Sequence, residues 1–210
     1  MGIPVLILGE SGSGKSTSMR NFEPGEVGIF NVASKPLPFR KKLPKADGAD
    51  YRKIMAGLSN PKLKAYVIDD SQYLMAFESF EKVNETGFGK FTSMALNFYN
   101  LVQFVIRQTP PDLIVYFLQH TEKTDDGRTK AKTLGKMLDN QLTLEGLFSI
   151  VLLCKTDGTR HYFETQSDGS TTAKSPLDMF EREIDNDLKL VDTTIREYWD
   201  LNPTNKKEDN

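Results

Sequence analysis

Ile3-Pro4-Val5-Leu6-Ile7-Leu8-Gly9-Glu10-Ser11-Gly12-Ser13-Gly14-Lys15-Ser16 is the stretch from which the rest of the chain is read. Its apolar first half predicts a buried strand over residues 3 to 8. Its second half fits G-x-x-x-x-G-K-[ST], the pattern of a phosphate-binding loop. Gly9, Gly12 and Gly14 let the backbone curl through conformations that a Cβ resists. Such a curl turns successive amide N–H groups inward as an anion nest. A helix over Ser16 to Phe22, stopped by Pro24-Gly25, adds the positive end of its dipole. Lys15 supplies an ammonium for phosphate oxygens, and Ser16 a hydroxyl ligand for Mg²⁺. The bare pattern also arises by chance as a glycine-rich turn; the strand before it and the helix after it are the context that makes it specific. Gly9, Glu10, Ser11, Gly12, Ser13, Gly14, Lys15, Ser16 and Thr17 are the candidate nucleotide-binding residues.

The chain has 210 residues, 38% hydrophobic and 27% charged, with a formal net charge of −2. That suits one ordinary globular domain over residues 1–201, with 202–210 as a disordered tail. The balance excludes a bulk-basic nucleic-acid binder, and no apolar run approaches a membrane span. No signal peptide is visible, and the lone Cys154 reads as a small core residue, so a cytoplasmic location is expected. Charge is uneven: Lys35, Arg40, Lys41, Lys42, Lys45, Arg52 and Lys53 make one stretch basic, and Asp178 to Asp209 is acidic. The basic stretch reads either as a face for DNA or as a solvated loop.

Further strands are predicted over Val27 to Val32, Ala65 to Ile68, Leu113 to Leu118 and Phe148 to Cys154, with a returning strand over Arg160 to Thr165 after Asp157-Gly158. Residues 34 to 50 read as an irregular connection. Helices are predicted over Tyr51 to Leu58, from a Ser71 cap to about Val83, over Phe91 to Gln108 and over Leu134 to Leu144. Ile184, Leu188, Val191, Ile195 and Trp199 mark a closing amphipathic helix. Asn84 to Lys90 reads as a mobile loop. Thr121 to Thr133 reads as a polar segment with a turn at Asp125-Asp126-Gly127. Alternation of strands and helices implies an α/β fold, a mostly parallel sheet with helices on both faces and an antiparallel hairpin at one edge. Ligands of such sheets bind beyond the carboxyl ends of the strands. Gly9 to Ser16, the segment after Val32, Asp69-Asp70 and Gln119-His120 are all expected there.

Ala65-Tyr66-Val67-Ile68-Asp69-Asp70 has the form of a strand that ends in a metal-holding carboxylate, the Walker B pattern. It is weak alone and strong beside the phosphate loop. Asp69 is the metal candidate, with Ser16. Asp70 either polarises an attacking water, tunes the metal, or enters a helix as a dipole-facing carboxylate. Gln119 or His120 is either a γ-phosphate sensor or an ordinary strand cap. His161, in the hairpin, reads as structural. No Cys/His cluster suggests zinc.

With these motifs the chain resembles the RecA-like P-loop ATPases, and more closely the small bacteriophage ATP-binding proteins of that group, some of which are single-strand annealing recombinases. The likeness spans residues 3 to 200, with only the two Walker motifs specific. It implies ATP and Mg²⁺ as cofactors, with Lys15, Asp69, Asp70, Gln119 and His120 as catalytic candidates. It implies homo-oligomers, rings or filaments, on single-stranded DNA, with a single-strand-binding protein as a further partner. The two DNA-binding loops of that group would match Asn84 to Phe91, with Phe88 and Lys90, and Thr121 to Thr133, with Lys123, Arg128, Lys130 and Lys132. Lys174 resembles the lysine that completes a neighbouring subunit's ATP site; as a surface lysine it needs no such role. One departure stands out: Val32-Ala33-Ser34-Lys35 offers no carboxylate where the family carries a water-activating glutamate.

The implied function is a Mg-dependent ATPase of DNA recombination. A nucleotide-dependent switch for a protein partner is the alternative, favoured by the missing glutamate. A small-molecule kinase would need an arginine-rich lid, and Arg128 and Arg160 are isolated.

Overall fold

The apolar runs become strands that are covered on both faces, and this is why they read as continuous rather than alternating hydrophobic segments. The computed structural model describes residues 1–87, 89–134 and 143–201. Its strands are β1 (Ile3–Gly9), β2 (Val27–Asn31), β3 (Lys45–Asp47), β4 (Ala65–Asp69), β5 (Ile114–Lys123), β6 (Thr129–Ala131), β7 (Ile150–Thr156), β8 (His161–Glu164) and β9 (Glu183–Asp185). Its α-helices are α1 (Tyr51–Ser59), α2 (Gln72–Glu81), α3 (Gly89–Gln108) and α4 (Leu188–Tyr198). The architecture is α/β: one mostly parallel mixed sheet in the order β3-β2-β4-β5-β1-β7-β8-β9, flanked by helices. Strands β3 to β7 along that path are parallel, and β8 and β9 extend the edge antiparallel.

Successive side chains of a strand go to opposite faces. Leu6, Leu8, Val115 and Phe117 therefore pack with Ile54, Leu58, Met75, Phe98, Leu101 and Val105 of α1 to α3. Val5, Ile7, Tyr116 and Leu118 pack with Met19, Leu188, Val191 and Ile195 on the other side. The second face also holds a buried polar cluster. Tyr116 Oη donates to Asp192 Oδ1 at 2.9 Å, and Arg196 Nε donates to Asp192 Oδ2 at 2.7 Å. Among the described residues no helix is long and apolar enough to cross a membrane.

Several sequence expectations need correction. The helix expected after the loop is present over Ser16–Asn21, in the tighter 3-10 form. Six residues before Pro24 are too few to repay α-helix nucleation, and short runs favour the tighter turn. Its Ser18 N–H is shared between Gly14 O at 3.0 Å and Lys15 O at 3.2 Å. Gln119 and His120 do not follow β5 but lie inside it, because the strand continues to Lys123. The expected loop Thr121 to Thr133 is a hairpin in which β6 pairs Thr121 with Ala131 and Glu122 with Lys130. Gly127 takes the left-handed conformation, φ 82°, at its turn. Ser71 stands at the N-cap position of α2 as expected, but its hydroxyl makes no capping bond and donates instead to Leu118 O at 3.1 Å. Ile184 belongs to the edge strand β9, because Asp187 caps α4 by accepting from the N–H groups of Lys189 and Leu190. The connection over residues 34 to 50 contains the short strand β3. Residues 135–142 of the expected helix Leu134 to Leu144, Phe88 and the tail 202–210 lie outside the described residues.

Candidate functional site

Register brings the chemistry together. Gly9, at the end of β1, stands beside His120 of β5 and Cys154 of β7, and Asn31 of β2 stands beside Asp69 of β4. The resulting cavity, about 250 Å³, is lined by Ser11, Gly12, Gly14, Lys15, Ser16 and Thr17 of the loop, and across from them by Lys35, Asp69, Asp70, His120 and His161. All four segments expected at this edge contribute to it or border it.

The loop is held from beneath. Ser13 O accepts from Cys154 Sγ at 3.0 Å and lies 2.7 Å from His161 Nδ1. Cys154 Sγ in turn accepts from Asn186 Nδ2 at 3.0 Å. Gly14 needs to be glycine twice over: its φ is 103°, and a Cβ would stand 3.0 Å from the His161 ring. At Gly9 a Cβ would meet Ser13 Oγ at 2.4 Å and Cys154 O at 2.9 Å. Ser13 Oγ itself is buried with no hydrogen-bond partner.

Lys15 is buried, and its Nζ donates to Gly9 O and Glu10 O, each at 2.8 Å. Burial lowers its pKa, against the pull of Cys154, Asp70 and Asp69. Ser16 Oγ donates to Asp69 Oδ1 at 2.8 Å, which ties the loop directly to the end of β4. Burial raises the Asp69 carboxyl above its usual range, and the Ser16 hydrogen bond opposes it.

Asp70 is treated differently by its surroundings. Burial pushes its carboxyl up, but contacts with His120 and Lys35 outweigh this and hold it at about 2. Lys35 Nζ is 2.7 Å from Asp70 Oδ2, and His120 Nε2 is 3.5 Å from Oδ1. Lys35 also stands over the Tyr73 ring, 5.0 Å from its centroid. Asp70 has φ 59° and Ser34 φ 55°, so both flanks of this ion pair are left-handed. Adjacent carboxylates pushed in opposite directions have different chemical capacities. Asp69 is a buried carboxylate that accepts from Ser16, and Asp70 is an anion paired with Lys35.

Other candidates fall elsewhere. Gln119 is fully buried on the other side of β5 from His120, its Nε2 donating to Lys132 O at 2.7 Å and its Oε1 accepting from Ser71 Oγ at 3.3 Å. It does not line the cavity. Lys174 exchanges backbone hydrogen bonds with Val151, well back along β7 from Cys154, and does not reach the site of its own chain. On the β5–β6 hairpin, Arg128 is paired with Asp126 at 2.8 Å and Lys130 with Glu122 at 3.2 Å; Lys123 and Lys132 are exposed. Lys90 Nζ lies 5.3 Å from the Phe91 ring centroid. Sequence reasoning missed Lys35 and His161 as lining residues. Lys35 was noticed as part of the basic stretch and as the place of an absent carboxylate, and His161 as a structural residue of the hairpin; the pairing of β8 with β7 is what carries His161 to the loop.

Among the described residues no group of three or more His, Cys, Asp or Glu side chains could by itself hold a metal ion. The hydroxyl of Ser16 and the carboxylate of Asp69 are nevertheless the oxygen donors that a hard cation takes when phosphates and water complete its shell. No protein-family model matches the chain, and no curated protein matches it.

Proposed function

We propose that the chain binds Mg-ATP at the Gly9–Ser16 loop and transfers the γ-phosphoryl group to water, within a RecA-like core. The observation that carries this reading is the Ser16–Asp69 hydrogen bond at 2.8 Å, inside the same cavity as Lys15. It joins the two motifs that sequence alone could only pair by pattern. Ser16 and Asp69 would hold the Mg²⁺ ion, which when bound supplies positive charge against the phosphate oxygens.

The chain's own part follows from its groups. Loop amides and the Lys15 ammonium bind the triphosphate, Lys15 exchanging the carbonyls of Gly9 and Glu10 for phosphate oxygens. His120, inside β5 and between the loop's strand β1 and β4, would take the γ-phosphate-sensing role. Water attacks the γ-phosphorus, the bond to the β,γ-bridging oxygen breaks, and ADP and phosphate leave. Asp70 accepts the water's proton only when Lys35 has left it. A carboxylate held at about 2 is a poor base, so slow turnover is expected.

In its wider form the proposal has subunits assembling on single-stranded DNA with ATP and released by hydrolysis. Lys90, Lys123 and Lys132 are the cations offered for phosphates, while the pairing of Arg128 and Lys130 reduces the hairpin's share. The second reading, an ATP-dependent switch for a protein partner, is favoured by one observation: Asp70 is already neutralised by Lys35. The test is phosphate release from Mg-ATP with and without single-stranded DNA, beside Lys15→Ala. DNA-stimulated release that the variant loses supports the first reading. Tight ATP binding with no turnover and no DNA effect moves the reading to the switch. Failure of the native protein to bind Mg-ATP refutes both.

A further inference from the structure

The sheet ends in two short strands whose surroundings carry opposite charge. Among the described residues β3 pairs only with β2, and β9 only with β8, so each leaves one row of backbone groups without a strand partner. Such an edge is a template for pairing with another chain. Around β9, Asp178, Glu181, Glu183 and Asp185 outnumber Arg160 and Arg182. Around β3, Lys42, Lys45, Arg52 and Lys53 outnumber Asp47 and Asp50. Ion pairs within the chain take up part of each set: Arg160 Nη2 is 2.9 Å from Glu183 Oε2, and Lys45 is paired with Asp47. Glu181 and Asp185 remain exposed on one edge, and Lys42 and Arg52 on the other.

Strand direction says how two copies can meet. Strands β3 to β7 along the sheet are parallel; β8 reverses the direction and β9 reverses it again. β9 and β3 therefore run the same way. A second copy can add its β3 beside β9 as a parallel neighbour and keep α1 to α3 on the same side of the continued sheet. Ile184 packs into the core on the α4 side, so the two-residue period turns Glu183 and Asp185 to the α1 side. Across the junction that side carries the start of α1, where Lys53 Nζ donates to Gly48 O at 2.7 Å, just past the end of β3. Asp185 ends β9 as Asp47 ends β3. The Asp185 carboxylate of one copy and the Lys53 ammonium of the next thus stand at the same end of the joined strands. The two-fold alternatives fail on charge: β3 against β3 sets cations together, and β9 against β9 sets carboxylates together.

We propose that the β9 edge of one copy of this chain docks against the β3 edge of the next, in a head-to-tail contact held by opposite charge. The path from β3 to β9 holds eight strands. Steps of about 20–25° per strand turn successive copies by about half a turn, so the contact builds an open filament and not a closed pair. Both edges are only three residues long, so backbone pairing adds little and the contact is weak and salt-sensitive. It needs neither nucleotide nor DNA, and Lys15→Ala is expected to leave it intact.

The test is sedimentation of the full chain without nucleotide, over a range of concentrations. At low salt the mean mass is expected to rise with concentration past that of a dimer, and at about 1 M salt, where charges are screened within about 3 Å, to fall back to the monomer. Two charge-reversed variants follow: Glu181→Lys with Asp185→Lys on the β9 edge, and Arg52→Glu with Lys53→Glu on the β3 edge. All four side chains are exposed, so thermal midpoints should hold. Each variant alone should associate at least about tenfold more weakly, because its two edges now carry like charge. An equal mixture of the two should associate again, since native edges then meet native edges and reversed edges meet reversed ones. A native chain that stays monomeric at low salt, or that stops at a dimer, overturns the proposal. So does either variant associating alone as the native chain does, which a two-fold contact through the untouched edge would produce, and so does a mixture that stays monomeric.

Discussion

Lys35→Ala removes the cation that stands where a carboxylate was expected, and the size of the effect can be worked out. Asp70 is held at about 2, down from an ordinary 3.8, with His120 and Lys35 outweighing its burial. One pKa unit corresponds to about 1.4 kcal/mol, so the whole shift amounts to roughly 2 kcal/mol. Lys35 shares this with His120, and its own side chain is 56% exposed. Solvent screening at that exposure leaves about 1 kcal/mol for the Lys35 pair. The folded-state pKa of Asp70 is depressed, so this stability is present above the unfolded value near 4 and is lost as pH falls towards 2. Lys35→Ala is therefore expected to lower stability by about 1 kcal/mol at pH 7, or about 2–4 °C in thermal midpoint for a chain of this size. The gap should close as pH falls from about 4 to about 2. Urea unfolding across that range, with the Asp70 carboxyl followed by NMR, provides the measurement. In the variant Asp70 should titrate closer to 4. A variant as stable as the native chain at pH 7, with Asp70 still titrating near 2, would falsify the assignment of the shift to Lys35.

Three further substitutions probe the loop and its surroundings. Gly14→Ala forces a Cβ onto φ 103° and into the His161 ring 3.0 Å away, so a loss of about 1–3 kcal/mol is expected in chemical unfolding, along with weakened phosphate binding. Ser16→Ala takes the hydroxyl from Asp69; ATP affinity with Mg²⁺ present should fall at least about tenfold while affinity in chelator changes little, as read by calorimetry. Arg196→Met leaves Asp192, which is 5% exposed, buried with Tyr116 but no cation, and should cost about 3–5 kcal/mol of stability without altering nucleotide affinity.

The fold class was legible because its signals are local. A run such as Leu113 to Leu118 has one explanation when both faces of a strand are covered, and Pro110-Pro111 marks the end of α3 without reference to any other part of the chain. What was not legible depends on pairing between distant segments. Nothing within Gln119 to Lys123 says that the strand continues; Thr129–Ala131 says it, through Glu122 opposite Lys130. Ile184 matches the helical spacing of α4 but is claimed by its pairing with Phe163 in β8. Short strands such as β3 and β9 bury too little to leave a pattern.

The candidate site shows the same division at the level of single side chains. Gln119 and His120 were equivalent in sequence, and the two-residue period of β5 separates them: His120 goes to the cavity and Gln119 to the core beside Ser71. Lys35 is the more consequential case. An absent glutamate first reads as a missing part, but an ammonium 2.7 Å from Asp70 is an added one. In the proposed reaction a γ-phosphate is a stronger attraction for that ammonium than a single carboxylate, since it carries more charge. Phosphate binding would then free Asp70 in the same step that presents the substrate. The absence of a glutamate and the neutralisation of Asp70 would be one device: a base that is uncovered only with nucleotide in place. Slow turnover follows from such a device without any defect in the loop.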